Sequence, residues 1–463
     1  MTAIRLTLGR VAQATGGTLH GGDADRAIGD VITDSRLARA GDLFVALKGP
    51  RFDGHDFVAE VLARGAAAVV NAGAGREGGA VIEVGDTLRA LQDLAHAVRR
   101  EAATRVIAIT GSAGKTTTKE TIAAMLETRF AVVRNKGNLN NHIGLPLSLL
   151  QLRERPDVAV MELGMNHAGE ISTLVAIAEP DVRVWTNVGD AHLGFFASPD
   201  AIADAKAEIL ERASADALLV CNADDPRIVE RVRGFRGRTL TFGTDAPADV
   251  RATAVEDRGL AGMRAQVAAR GYGERIVETP LLGRGNLANV LAAAAVALDS
   301  GIALDEVAAV AASLRPADRR GAVRELRNGV VVIDDSYNSS PAALHRALEV
   351  VARERRPGRR VAVLGEMLEL GDHARRLHAE SGVAAAAAGL HLLLTVGGDG
   401  AREMASAAVS AGMAADAVSH FETSAAAADA AARLVRAGDI VLVKGSRGVR
   451  TDVVVDRLMA ELA

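Results

Sequence analysis

Residues 105–120 read RVIAITGSAGKTTTKE, a run of apolar strand-formers that passes directly into a glycine-flanked loop and then a helical pattern. Few folds accommodate that unit. A strand that ends in a tight loop and turns straight into a helix opens a βα layer, and it aims backbone N–H groups and a helix N-terminus at one point. Gly111 and Gly114 let the chain approach a phosphate closely, Lys115 supplies an ammonium and Thr116 a hydroxyl able to hold Mg²⁺, while Ser112, Ala113 and Thr117 complete the loop. The spacing is G-x-x-G-K-T and not the full G-x-x-x-x-G-K-[ST]. The strand before it and the helix after it, in which Ile122, Met125 and Leu126 follow the i, i+3, i+4 rule, favour phosphate binding over a plain turn with a solvated lysine.

The alternation of short apolar runs with helical stretches continues through the chain and falls into three α/β blocks. Residues 1–103 carry the runs DLFVAL, AAAVV and AVIEV and end in a charged helix; residues 104–314 carry RVIAIT, DVAVMEL, RVWTNV and ALLVCN, the pattern of a mostly parallel sheet. An Arg- and Gly-rich stretch at 227–285 reads as irregular, and the helix NLANVLAAAAVALDSG closes this block. Residues 315–463 repeat the alternation with VVVID, RVAVLGE, LLLTVG and DIVLVKG, which reads as a doubly wound Rossmann-like domain. The length of 463 residues suits several such domains.

Composition narrows the function classes. Basic and acidic side chains nearly balance at 54 and 58, so no basic excess points to nucleic acid, and aromatics at 3% leave few stacking platforms for single strands. Cys221 is the lone cysteine, which excludes an intrachain disulfide or a CxxC site. The N-terminus has no signal-like apolar stretch and the alanine-rich runs near 290–298 and 384–388 are too short to span a bilayer. The expectation is a cytoplasmic protein without a membrane span.

Three residues beyond the loop stand out. Glu162 ends a strand-like run, where a carboxylate can serve phosphate-bound Mg²⁺; taken alone it reads more readily as a core-edge glutamate making a hydrogen bond. His192 follows another strand in TNVGDAHLGFF and could reach the same sheet edge, although a lone loop histidine is more often structural. Lys206 falls on the flank of an apolar stripe (Ile202, Ala205, Ile209, Ala213) of a helix begun by Ser198-Pro199 and drawn over 199–213. Sequence alone favours a snorkelling lysine there.

The segments ITDSR, GDLFVALKGPRFDGHDF, ITGSAGKTTTKE, NKGNLNNHIGLPLSLL, MELGMNHAGEI, AHLGFF, AKAEIL, GRGNLANVLAAAAVA, DDSYNSSP, VLGEMLELG and LVKGSRG run nearly end to end, and on them the chain resembles the Mur ligases. NKGNLNNHIGLP and DDSYNSSP resemble in particular the members that join D-Ala-D-Ala to UDP-MurNAc-tripeptide. The resemblance implies a UDP-substrate domain, a central P-loop ATPase-like domain and a C-terminal Rossmann-like domain. It implies that ATP phosphorylates the tripeptide carboxylate, that the dipeptide amine attacks the acyl phosphate, and that the pentapeptide product serves peptidoglycan synthesis. ATP and Mg²⁺ are the implied cofactors, and the implied state is a monomer.

Carried over motif by motif, the resemblance gives Lys115, Glu162, His192, Lys206 and Arg320 catalytic roles, with Thr116 and Glu162 on one Mg²⁺ and His192 with a carbamylated Lys206 at a second. It places Asn286 and Asn289 toward adenine, Asp335 toward ribose with Asn338 nearby, and Arg320 on the γ-phosphate. Ser35, Arg36, Asp53 and His55 become candidate UDP-substrate contacts, and Asn138, Asn140 and Asn141 face the tripeptide. One departure is visible: Gly285 stands where relatives usually carry histidine. Ligases that take other amine acceptors, folylpolyglutamate synthetase and a P-loop switch are alternatives sharing the loop but not DDSYNSSP. An inactive scaffold would lack one of Lys115, Glu162, His192 or Lys206, and all four are present.

Overall fold

The computed structural model describes residues 2–73, 78–190 and 193–462. Among them, three sheets follow one another along the chain, each flanked by helices. The first has the order Thr18–His20, Val81–Val84, Ala67–Asn71, Leu43–Val45, Val31–Ile32, parallel except for its first pair.

The central sheet is built on Arg105–Thr110, which lies between Val182–Trp185 and Val158–Glu162, all parallel. Alternate residues of these strands point to opposite faces, as the period of two requires. Ile107, Ile109, Val158 and Val160 pack under the helices Lys115–Leu126 and Gly283–Asp299, while Val106, Ala108, Ala159 and Met161 pack with the helices Glu170–Ala178 and Pro199–Ala207 on the other face.

The stretch at 227–285 is not irregular. It holds Arg238–Gly243, Val250–Asp257, Met263–Ala269 and Gly273–Thr279, which extend the central sheet, the last two antiparallel. Met263, Ala265, Val267 and Ala269 are buried and the residues between them are not. The alternation is therefore present, but alanine, a weak strand-former, fills half of its buried positions.

In the C-terminal sheet the order is Ala322–Glu325, Val331–Asp335, Ile440–Lys444, Arg360–Gly365, Leu392–Val396, Val418–Phe421, with only the first pair antiparallel. Leu344, Leu348, Leu377 and Met404 cover one face; Ala427, Ala431, Val454 and Leu458 cover the other. That is the doubly wound arrangement, whose ligands bind at the carboxyl ends of the strands.

The domains are tied together by specific bonds. Arg99, buried on the helix Thr87–Ala102, donates to the carbonyls of Ala178 and Glu179 and to Asp181, each at 2.8 Å. Between the central and C-terminal domains, Gly194 N–H donates to Glu369 O at 2.8 Å and Leu260 N–H to Glu354 Oε2 at 2.8 Å.

Candidate active site

The phosphate loop is held open from beneath. Gly111 and Gly114 have φ of +153° and +80°, and a β-carbon on either would run into Thr186 or the Asn289 amide. Asn187 clips the loop: its carbonyl accepts from Ser112 N–H at 3.0 Å, its Oδ1 accepts from Ala113 N–H at 2.9 Å and its Nδ2 donates to Ala113 O at 2.9 Å. Ser112 Oγ is tied to Gly189. Lys115 Nζ donates to Gly111 O at 2.7 Å. Burial lowers its pKa, the Glu162 carboxylate opposes that, and the Arg320 charge adds to it.

Glu162, buried at the end of its strand, is oriented by both oxygens. Thr116 Oγ1 donates to Oε2 at 2.7 Å and Asn140 Nδ2 to Oε1 at 2.8 Å. Asn135 grips the backbone of Glu162 from both sides, and buried Lys119 donates to Asn135 O at 2.6 Å. Among the described residues, no three His, Cys, Asp or Glu side chains converge into a protein-only metal cage. A hydroxyl and one fixed carboxylate at a phosphate loop nevertheless suit Mg²⁺, which keeps waters and takes its remaining oxygens from phosphate.

Lys206 does not snorkel. Ser198 caps its helix by accepting from Ala201 N–H, the helix gives way to a tight turn at Glu208–Leu210, sooner than the expected 199–213, and Lys206 is 2% exposed. Burial and then the Lys115 charge hold its pKa well below the ordinary lysine value. His192, its expected neighbour, lies outside the described residues.

Two cavities meet at the loop. One, of about 290 Å³, is walled by Ser112, Ala113, Gly114 and Thr117 together with Asn286, Asn289, Asp335 and Asn338. The other, of about 450 Å³, is walled by Lys115, Thr116, Glu162, Asn138, Asn140 and Asn141. Arg320 borders both, its guanidinium 4.1 Å from the centre of the Tyr337 ring. In the first cavity Asn289 Nδ2 donates to Asn286 Oδ1 at 3.1 Å, and Asn286 Nδ2 to Leu282 O at 2.9 Å. In the second, Asn141 Oδ1 also caps the helix Gly144–Leu149 by accepting from Gly144 N–H at 2.9 Å.

Several contributors went unassigned in the sequence. Lys444 donates to Asp335 Oδ2 at 2.6 Å and to Asn338 O at 3.0 Å, and Arg447 donates to the Tyr337 hydroxyl at 2.9 Å. Both lie in LVKGSRG, a strand end followed by glycine, where α/β sites gather. Asn187 and Asn135 follow strands too, with no charge to mark them.

The four N-terminal candidates line neither cavity. Ser35 and Arg36 sit on a short turn, with the Arg36 guanidinium exposed and bonded to Asp34 at 2.9 and 2.6 Å. Asp53 and His55 are engaged with their own loop. Asp53 Oδ1 accepts from His55 N–H at 3.0 Å and stands 2.6 Å from His55 Nδ1, whose Nε2 accepts from Asn71 N–H at 2.9 Å.

Residues 28–134 match the Mur ligase family catalytic domain, 109–297 the Mur ligase middle domain and 319–447 the Mur ligase glutamate ligase domain. The chain belongs to the Mur ligase family. It is 35% identical over 460 residues to the UDP-N-acetylmuramoyl-tripeptide--D-alanyl-D-alanine ligase of Bacillus subtilis (strain 168), covering 98% of this chain and 99% of the relative. The crystal structure of MurF from Acinetobacter baumannii superposes with a TM-score of 0.90 at 33% identity, covering 99% of this chain and all of the other (100%). MurF ligase from Thermotoga maritima, solved in complex with ADP, gives a TM-score of 0.81 at 32% identity, over 93% and 97% of the two chains. The family, and the mixed α/β fold in three domains, are thus established together.

Proposed function

We propose that this chain is an ATP-dependent amide-bond-forming ligase that joins D-Ala-D-Ala to UDP-MurNAc-tripeptide, yielding the UDP-MurNAc-pentapeptide, ADP and phosphate for peptidoglycan synthesis. The observation that carries the chemistry is the pair of cavities meeting across one phosphate loop, with Lys115 and Glu162 in one wall and Arg320 common to both. Phosphoryl transfer to a carboxylate brings two anions together, so the residues at the junction must supply positive charge and exclude water.

ATP takes the smaller cavity, with its phosphates on the N–H groups of residues 111–117, its base toward Asn286 and Asn289, and its ribose toward Asp335 and Asn338. The tripeptide carboxylate enters the larger cavity beside Asn138, Asn140 and Asn141. Lys115 exchanges Gly111 O for the β- and γ-phosphates, and Arg320 steadies the transferred group. Thr116 and Glu162 would hold Mg²⁺, which screens the phosphate charge when bound. Lys206 is buried and depressed in pKa by its surroundings, which supports the neutral amine that adds CO2. The resulting carbamate, with His192, would give a second Mg²⁺ an anionic ligand in place of a repelling ammonium. The UDP end falls to the N-terminal domain, where Ser35 and Arg36 lie on an exposed turn and Asp53 and His55 hold the neighbouring loop in shape.

The chain acts as a monomer in the cytoplasm on this reading, with every described group of the site drawn from one chain and its single cysteine, Cys221, buried and free. No helix of the described residues is long and apolar enough to cross a membrane. The test is phosphate release with ATP, Mg²⁺, UDP-MurNAc-tripeptide and D-Ala-D-Ala, each omitted in turn. Turnover requires all of them, and brisk ATP hydrolysis without the UDP-peptide would mean a P-loop switch instead.

A further inference from the structure

Gly285 has an unusual neighbour. It lies in the first turn of the helix Gly283–Asp299 in the central domain, and the space a side chain would fill there is taken by Arg346 from the helix Pro341–Arg353 of the C-terminal domain. A β-carbon at Gly285 would stand 3.1 Å from Arg346 Cδ, 3.4 Å from Nε and 3.8 Å from Cζ, so the guanidinium lies directly over the bare backbone.

Arg346 forms no hydrogen bond and no ion pair among the described residues, although it walls the smaller cavity. Its side chain is exposed to solvent; neighbouring protein lowers its pKa, and the Glu349 and Asp335 carboxylates oppose that. A guanidinium exposed on a cavity wall and bonded to no protein group is open to a ligand.

We propose that Arg346 is a nucleotide-recognition residue that lays its guanidinium plane on the adenine ring and clamps the base between the two domains. This rests on the ATP reading given above. The phosphate end of the cavity has its own cations, because Arg320 is close enough to Lys115 to depress its pKa. Arg346 is felt instead by Asp335 and Glu349, away from that end. The nucleotide parts left for it are neutral, and among neutral groups an aromatic face is what a planar guanidinium recognises best. Gly285 serves the same contact by leaving room for the arginine to lie flat.

The experiment measures steady-state KM for ATP, UDP-MurNAc-tripeptide and D-Ala-D-Ala in the wild type, Arg346→Ala and Arg346→Lys, with inhibition by ribose 5-triphosphate, which lacks the base, as a second arm. A cation–π contact at an exposed site corresponds to a roughly two- to fivefold rise in KM for ATP in Arg346→Ala, with the lysine variant in between. The other two KM values and the ribose 5-triphosphate inhibition constant stay at wild-type values. An unchanged KM for ATP would overturn the proposal, as would an equal loss for ribose 5-triphosphate, which would move Arg346 onto the ribose or phosphates. A wild type indifferent to ATP would instead overturn the ligase reading itself, so the two failures are distinct. Gly285→Ala, whose added methyl pushes the arginine aside by a few tenths of an ångström, raises KM for ATP slightly in the wild type and leaves it unchanged in Arg346→Ala.

Discussion

The phosphate loop and the Asp53–His55 loop both looked like binding motifs, and they use their polar groups in opposite ways. In the phosphate loop the decisive side chains rest on partners that a ligand can replace: Lys115 on Gly111 O, and Thr116 on Glu162. In the Asp53–His55 loop the circuit is closed, with both imidazole nitrogens and the carboxylate committed to one another and to the Asn71 backbone. A motif rich in Asp, Gly and His can thus exist to shape a loop. Bonds to replaceable partners mark a site, and bonds that close on themselves mark a scaffold.

The largest test of that contrast is Lys115→Ala. Its ammonium has no structural task beyond one carbonyl contact, so the fold stays and transition-state stabilisation goes. Turnover falls by at least about 10²-fold, as when a single preorganised donor is lost, while the melting temperature and UDP-substrate binding hold. A variant with near wild-type turnover would remove the phosphate loop from the chemistry.

Lys206→Ala comes next, with turnover down by a comparable or somewhat smaller factor. Small carboxylic acids that fit the vacated space restore part of it, whereas Lys206→Arg does not, because guanidinium keeps its charge and adds no CO2. Intact mass under non-acidic conditions reads the modification directly: an active enzyme without the mass of one added CO2 ends the carbamate assignment.

Those two lysines also show what was legible in the sequence. The strand–loop–helix unit around Lys115 is local, so its period and glycines announced it. Lys206 was misjudged as snorkelling because its burial comes from the central sheet and neighbouring helices, which no local pattern contains. The strand Met263–Ala269 was hidden for a different reason: alanine, whose intrinsic preference argues against a strand, fills half of its buried positions. Asn187 and Asn135 are uncharged residues after strands, a pattern shared with ordinary turns. Arg346 was out of reach altogether, since its meeting with Gly285 joins two domains.

His55→Ala probes the closed circuit. It leaves Asn71 N–H without its acceptor, at a cost of about 1 kcal/mol of stability for a partly buried hydrogen bond, while Asp53 Oδ1 loses the imidazole and keeps the His55 backbone N–H. The melting temperature drops, and kcat stays at the wild-type value. KM for the UDP-substrate moves far less than in Arg36→Ala, whose guanidinium is exposed and whose loss leaves the turn intact. The reverse pattern would make His55 the contact and Arg36 the bystander.

The smallest effect is a pH dependence in the C-terminal domain, where His378 repeats the device of His55. Its Nδ1 donates to Ala374 O at 2.6 Å, its Nε2 accepts from Met367 N–H at 2.9 Å, and it is wholly buried. Burial holds its pKa below the ordinary 6.5, against the Ala374 carbonyl and the Glu366 carboxylate, which pull upward. Above 6.5 both native and unfolded chains carry neutral imidazole and stability is complete. Below it the unfolded chain binds a proton that the native one refuses, so stability falls as the pH drops. His420, also lowered, acts in the same direction, and buried Asp334, whose pKa is raised, acts against both. His378→Gln isolates the first contribution, since an amide can keep a donor and an acceptor but does not titrate. Thermal melts at about pH 7.5 and about pH 5.5 show a smaller acid loss in the variant than in the wild type. Parallel losses would assign the acid sensitivity to other groups and leave His378 as packing alone.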